Sequence, residues 1–336
     1  MSTSLIILIP VILLGIVGML CFVGCILDTT GLPSTPFTSY TGITILANSP
    51  NCIAYWPLKE AADTTPASEL ISNNTGNYID PNTAPALYPW PDFSIANGAN
   101  PDVLSAAAPG TIALAQPGIV KGDVDLLPDD PVPPACVVVN GAYVEAPWND
   151  KFVPKQSFTV EAWVRVDWTA ADPHAWRFVL DMRERNPVTA GFAIYAKADD
   201  NAPGVYRWAA ILGNGSAGFK FLDNTEALIA LKQPGADSGT TFYLVLTYDS
   251  TSKTLTLFVN NEKAGEINSD YVPNTTQPLW IGAGAPYIAR RPQPAGPDPA
   301  SPLFPFVGAI QDVAIYRAVL DAATMNTHFR NGNGTT

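Results

Sequence analysis

Histidine and cysteine are scarce in this chain of 336 residues, with only His174 and His328 of the first and four of the second. Neither set has the spacing of a metal site, which disfavours zinc or haem held by imidazole or thiolate. Basic residues are few as well. Eighteen Lys and Arg stand against thirty Asp and Glu, a formal charge of -12. Such a chain repels phosphate backbones, and no basic stripe with interleaved aromatics offsets the repulsion, so no nucleic acid is expected as partner. The Gly-x-Ser-x-Gly pattern of an activated serine is missing, and neither serine nor cysteine has an activating histidine in a recognisable context.

Charge is missing most completely where hydrophobicity is greatest. Residues 5–27 form an uninterrupted apolar run, preceded by Met1-Ser2-Thr3-Ser4 without Lys or Arg. A helix needs about 20 apolar residues to cross a bilayer. A cleaved signal peptide has a basic start and a shorter apolar stretch of about 7–15 residues, and Phe22-Val23-Gly24-Cys25 resembles a lipobox without the basic residues that should precede it. The run therefore predicts a retained transmembrane helix over 5–27 behind a four-residue tail (1–4), with membrane lipid as its surroundings. Gly15, Gly18, Cys21 and Cys25 fall at roughly helical spacing and make a stripe of small side chains against which another membrane helix could pack.

Residues 28–50 are rich in turn formers and read as a linker; residues 51–336 form one large head. Its acceptor triplets at Asn73, Asn214, Asn274 and Asn333 would suit a glycosylated surface in a eukaryotic cell. Cys52 and Cys136 are the only cysteines of the head, and they are either a disulfide or two buried thiols.

Strand signals dominate the head. Phe158, Val160, Ala162, Val164 and Val166 alternate with mostly polar residues, the period of a half-buried strand. Residues 242–248 and 254–260 flank the turn-forming 249–253 and should pair antiparallel. Further strands are expected over 52–56, 136–139, 142–145, 177–181, 191–196, 206–212, 278–282 and 308–316. Long irregular insertions are expected over 63–134 and 287–305. One helix is expected, from an Asp321 cap through Phe329, stopped by Asn331-Gly332. Together these predict a mainly β head, two antiparallel sheets packed as a sandwich with a short C-terminal helix.

The segments Ala54 to Glu60, Val139 to Glu145, Phe158 to Val164, Leu246 to Asp249, Leu257 to Asn261 and Phe306 to Tyr316 resemble, in that order, the laminin-G-like domains of the concanavalin-A-like jelly-roll superfamily. Asn260-Asn261 stands where that family more often has Asp-Gly, and the insertion after Glu60 is atypical. The resemblance implies a jelly-roll sandwich that binds carbohydrate, protein or calcium. Because it is a fold found mostly outside the cytoplasm, the head is expected on the periplasmic or extracellular side.

Related glycoside hydrolases carry Glu-x-Asp-x-x-Glu on one strand, and that triplet is absent here. Retaining hydrolysis needs carboxyl groups about 5 Å apart. Glu161 and Asp167 would lie about 20 Å apart along a strand, and Asp181 with Glu184 interleaves with Arg183 and Arg185 as a surface ion-pair cluster. The chain is thus expected to be no enzyme, a hydrolase being the remote alternative. Sugar recognition would use aromatic platforms beside polar groups, for which Trp168, Trp176, Arg177, Tyr206 and Trp208 are candidates. Trp163, opposite the apolar row of its strand, must meet solvent or lie under a loop. No cofactor is expected; calcium alone could be held by loop carboxylates such as Asp172, Asp199, Asp200 and Asp298, although no EF-hand-like run is present. Two functions fit: glycan or protein recognition by an anchored head, or an accessory subunit docked on a larger membrane complex.

Overall fold

A computed structural model of the chain describes residues 51–59, 77–79, 111–121, 135–140, 142–171, 176–184, 188–199, 201–284 and 306–335. The expected transmembrane segment with its Gly15, Gly18, Cys21 and Cys25 stripe, the linker and the 287–305 insertion lie outside these residues. No helix among those described is long and apolar enough to cross a membrane.

The strands are β1 (Cys52–Trp56), β2 (Asn77–Ile79), β3 (Thr111–Pro117), β4 (Ala135–Asn140), β5 (Tyr143–Ala146), β6 (Phe158–Val166), β7 (Trp176–Asp181), β8 (Phe192–Ala198), β9 (Tyr206–Gly213), β10 (Phe219–Leu222), β11 (Leu228–Ile229), β12 (Thr241–Asp249), β13 (Thr254–Val259), β14 (Glu262–Asn268), β15 (Leu279–Ile281) and β16 (Val307–Tyr316); the helix α1 spans Ala322–Gly332. The first sheet runs β14-β13-β12-β6-β16-β4-β3 with β1 also on β16, and the second runs β10-β9-β8-β7-β15-β5-β2 with β11 also on β9. Every pairing is antiparallel. This is the expected two-sheet sandwich with a C-terminal helix.

Alternation builds the core between the sheets. Phe158, Val160, Ala162, Val164 and Val166 from β6 meet Phe192, Ile194 and Ala196 from β8 and Tyr206, Trp208, Ala210 and Leu212 from β9 in one apolar cluster. Each large side chain buried there contributes roughly 1.5–3 kcal/mol. The 249–253 turn forms as expected, with Asp249 Oδ1 accepting from the Thr251 amide at 2.8 Å, and β12 pairs with β13 in the register Leu246 opposite Leu257. Asn260 and Asn261 both take positive φ, 53° and 67°, between β13 and β14. That is the backbone of a two-residue type I′ hairpin turn, which asparagine tolerates nearly as well as the Asp-Gly it replaces.

Three expectations need correction. The 63–134 insertion holds β2 and β3, which pair with β5 and β4; their sequences lack the long apolar alternation by which strands are recognised. The strand β6 is buried on both faces, because Thr159, Glu161 and Trp163 are also buried where the first sheet is overlaid by α1 and its approach. The helix continues past Asn331 to Gly332, with Asp321 Oδ1 capping the Thr324 amide at 2.7 Å. A β-carbon at 332 would stand 2.0 Å from Trp163 Cζ2, so glycine here lets the last turn lie directly on the indole. Trp163 is therefore covered, by a helix and not by a loop.

Candidate functional site

The alternation of β7, β8, β9 and β11 assembles a second row on the outer face of the second sheet. Trp176 is opposite Lys197, Lys197 opposite Arg207, and Arg207 opposite Leu228, so these four side chains share one face and cross four strands in line. Deeper along the same face, Phe178, Tyr195, Ala209 and Ile211 are buried, with Phe178 stacked on Tyr195 at 5.1 Å. Burial, and next the charge of Asp223, push the Tyr195 hydroxyl well above the usual tyrosine range. At its other end the face opens. Trp176 is half-buried, its ring centroid 5.8 Å from that of Tyr195, and Leu228 is 55% exposed; Phe221, opposite Ile211 on the edge strand β10, is 45% exposed.

Beside Lys197 and Arg207 lies a cleft of about 270 Å³, lined also by Asp199, Asn201, Asp223, Asn224, Thr225 and Glu226. Its groups are held in place. Arg207 donates from Nε to Asp199 Oδ2 at 3.0 Å and from Nη1 to the Thr225 carbonyl at 3.1 Å, and its Nη2 stands 2.9 Å from the same Asp199 oxygen. Asp199 Oδ1 accepts from the Asn201 amide at 2.8 Å. That amide, and next Arg207, hold Asp199 below the usual carboxylate range. Lys197 Nζ donates to Asp223 Oδ2 at 3.1 Å, and Thr225 is tied to the Trp208 carbonyl through its hydroxyl. A half-open indole beside fixed donors and acceptors can stack against an apolar ring face and hydrogen-bond its rim.

Of the five residues expected to bind sugar, only Trp176 belongs to this row. Trp168, Tyr206 and Trp208 are at most 4% exposed and Arg177 is 0% exposed; all four pack inside the sandwich, Arg177 with its guanidinium 4.8 Å from the Trp168 ring. The cause is parity: Arg177 follows Trp176 by one residue and so points to the opposite face, as do Tyr206 and Trp208 on either side of Arg207. Lys197 and Arg207 were not anticipated. Their polarity within otherwise apolar strands was the available signal.

The acidic candidates are occupied elsewhere. Asp181 and Arg183 make a buried bidentate pair at 2.8 and 2.6 Å, correcting the surface cluster expected there, since β7 lies well inside its sheet. Glu184 accepts from Thr276 Oγ1 at 2.7 Å and from the Thr275 amide at 2.7 Å. Glu161 is fully buried under α1, accepting from Tyr243, from Tyr316 at 2.7 Å and from His328 Nδ1 at 2.9 Å. Desolvation alone would raise this carboxyl, yet the His328 charge and the three hydrogen bonds outweigh it and hold the group below its usual range. Asp167 is bound to Arg165 and to the Gly239 amide.

Among the described residues no three acidic, histidine or cysteine side chains gather as metal ligands, and Asp172, Asp200 and Asp298 lie outside those residues. Cys52 and Cys136 are two buried thiols and do not bond to each other. Their strands lie end to end along β16, Cys52 opposite Tyr316 and Val137 opposite Ile310, which separates them by roughly 16 Å at the strand rise. The acceptor triplet at Asn274 is also closed, because Asn274 is buried and its Nδ2 donates to the Gln277 carbonyl at 2.7 Å.

A family model described as the concanavalin A-like lectin/glucanases superfamily matches residues 139–325, more than half of the chain. The chain belongs to this superfamily. The match covers the strands from β5 to β16 and the first turn of α1, and so includes the whole Trp176 row.

Among solved structures, the chain is similar to the receptor binding domain of botulinum neurotoxin mosaic serotype C/D, at 10% identity and a TM-score of 0.48, covering 83% of this chain and 50% of that one. It is similar to the binding domain of botulinum neurotoxin DC in complex with SialylT, at 12% identity and a TM-score of 0.37, covering 57% of this chain and 39% of that one. It is also similar to the Ruminococcus gnavus IT-sialidase CBM40 bound to alpha2,6 sialyllactose, at 17% identity and a TM-score of 0.36, covering 52% and 84%. The chain thus spans half or less of the length of the two toxin domains. A search of curated proteins finds no match.

Proposed function

We propose that this member of the superfamily is a non-catalytic glycan-binding protein, and that sugar is held at the open end of the second sheet by Trp176 and the Lys197–Arg207 cleft. One observation carries the reading: β7, β8 and β9 bring a half-exposed indole and two ion-paired cations into a single row next to a polar cleft. Sugar hydroxyls both donate and accept, and a wall of alternating cations and carboxylates supplies both roles. At about 270 Å³ the cleft is near the lower end of ligand pockets, roughly 300–1,000 Å³, and suits a sugar ring or two better than a protein surface. The apolar run 5–27 supports a membrane anchor that presents the head outside the cytoplasm, where glycans are met.

Calorimetry on the full chain in detergent against a panel of oligosaccharides tests this. Binding is expected to weaken at least about tenfold in Trp176→Ala, since covering one indole face is worth upwards of roughly 1.5 kcal/mol, and to weaken also in Arg207→Ala. Flat isotherms across the panel, or binding that both variants leave intact, would remove the reading. Turnover of a bound glycan that one carboxylate substitution abolished would replace it with a hydrolase.

A further inference from the structure

We infer that the cleft selects uncharged glycans and rejects acidic ones, a deepening that rests on the glycan-binding reading above. Recognition of a carboxylate or sulfate draws on an arginine fork, two parallel N–H groups aimed at two oxygens. In Arg207 that edge is occupied. Its Nε and Nη2 lie 3.0 and 2.9 Å from Asp199 Oδ2, and Asp199 is itself fixed by the Asn201 amide at 2.8 Å. The remaining nitrogen already donates to the Thr225 carbonyl at 3.1 Å. The other cation is ion-paired too, Lys197 with Asp223 Oδ2 at 3.1 Å.

Counting the lining side chains, Lys197 and Arg207 are outnumbered by Asp199, Asp223 and Glu226. An acidic sugar would enter a cleft with a surplus negative charge, on a chain whose formal charge is -12, and could take the Nε–Nη2 fork of Arg207 only by displacing the Asp199 carboxylate. A hydroxyl needs no fork. It can donate to Asp223 Oδ1 or Glu226 and accept from the Asn224 amide or a remaining N–H of Arg207, while both ion pairs stay closed.

The experiment pairs neutral gluco-, galacto- and manno-configured oligosaccharides with the same chains carrying a sialic acid, uronic acid or sulfate, titrated by calorimetry into the full chain at low and at high salt. A neutral member is expected to bind and its acidic counterpart to bind about 3- to 10-fold more weakly at low salt, with the gap closing as salt screens the repulsion. The Asp223→Asn/Glu226→Gln double variant, which removes two negative charges from partly exposed positions, should close the gap at low salt. Acidic members that bind more tightly than their neutral counterparts, with the preference lost in Arg207→Ala, would overturn the selectivity and leave the glycan site standing. If no panel member binds, or if Trp176→Ala and Arg207→Ala bind as the natural chain does, the glycan reading itself fails and the selectivity with it.

Discussion

The outer faces of the two sheets start from the same period-two alternation and end differently. On the first, polar groups that point outward beneath α1 and its approach find protein partners: Glu161 is met by Tyr243, Tyr316 and His328, and Gln311 Oε1 accepts from the Ile119 and Val120 amides at 2.9 and 3.3 Å. Trp163 lies flat against Phe329 and against the bare backbone of Gly332. On the second, the row from Trp176 to Leu228 keeps its ion pairs partly in solvent, with Lys197 and Asp223 at 22% and 28% exposure and Arg207 and Asp199 at 32% and 15%. One face uses its polar groups for cohesion, and the other keeps them at the solvent. Aromatic content does not separate the two; the covering helix does.

The largest effect should come from cutting the sealed face. Glu161→Ala leaves a histidine and two hydroxyls without their common acceptor in a dry site, and breaking such a buried pair costs about 3–5 kcal/mol, read as a lowered midpoint in urea unfolding. Because the folded Glu161 carboxyl titrates below its ordinary value of 4.5, its stabilisation is complete above that value and is lost as pH falls through the folded one. Glu161→Gln should therefore show a flatter loss of stability on the acid side than the natural chain. Sugar affinity of the folded fraction should not change in either variant.

A matched pair sharpens the contrast between core and open row. Trp208→Ala empties a position with 0% exposure and should cost about 3–5 kcal/mol of stability, while the surviving native protein keeps its affinity. Trp176→Ala should do the reverse, losing most of the affinity for no more than about 1.5 kcal/mol of stability, the scale of its ring contacts with Phe178 and Tyr195. Equal losses of affinity would erase the distinction between the two tryptophans.

Much of this arrangement is legible in the sequence. The alternation of Phe158 to Val166, the 249–253 turn and the Asp321 cap are local signals: the strand, the turn and the cap all form where expected, and only the cover over the outer side of the strand is unannounced. The fold follows because two-faced strands of that kind have few ways to bury one side. What the sequence hides is which side of a strand a tertiary element covers. Trp163 and Trp176 look equally available, and only the path of α1 separates them. Parity within β9 is readable, since Tyr206, Trp208, Ala210 and Leu212 form the heavy apolar row and Arg207 interrupts the other, but aromatic identity draws attention to the row that faces the core. The short edge elements β10 and β11 escape notice for a different reason. Phe221 and Leu228 are exposed, so no inward alternation marks them.

A smaller effect tests how closely the sealing helix fits. Alanine ordinarily favours a helix over glycine by about 0.8–1 kcal/mol, so Gly332→Ala would stabilise α1 if the helix had room. The added carbon would lie 2.0 and 2.6 Å from Trp163 Cζ2 and Cε2, and overpacking of this kind costs about 1–3 kcal/mol. The net change should be destabilising, seen as a lower Tm together with a red shift of tryptophan emission as Trp163 loses its cover.

The last difference is chemical and leaves stability untouched. Cys136 belongs to the sealed side, in the cluster with Trp163 and Tyr316, and burial pushes its thiol up to about 12. Its Sγ donates to the Pro117 carbonyl at 3.2 Å. Only the thiolate is nucleophilic, so at pH 8 the native chain should leave Cys136 unmodified by iodoacetamide for as long as it stays folded. A cysteine introduced as Phe221→Cys, on the open face where that position is 45% exposed, should be alkylated at the rate of an ordinary thiol. Peptide mapping by mass spectrometry separates these two sites from the other cysteines, and comparable labelling of both in the native protein would show that the first face is not sealed.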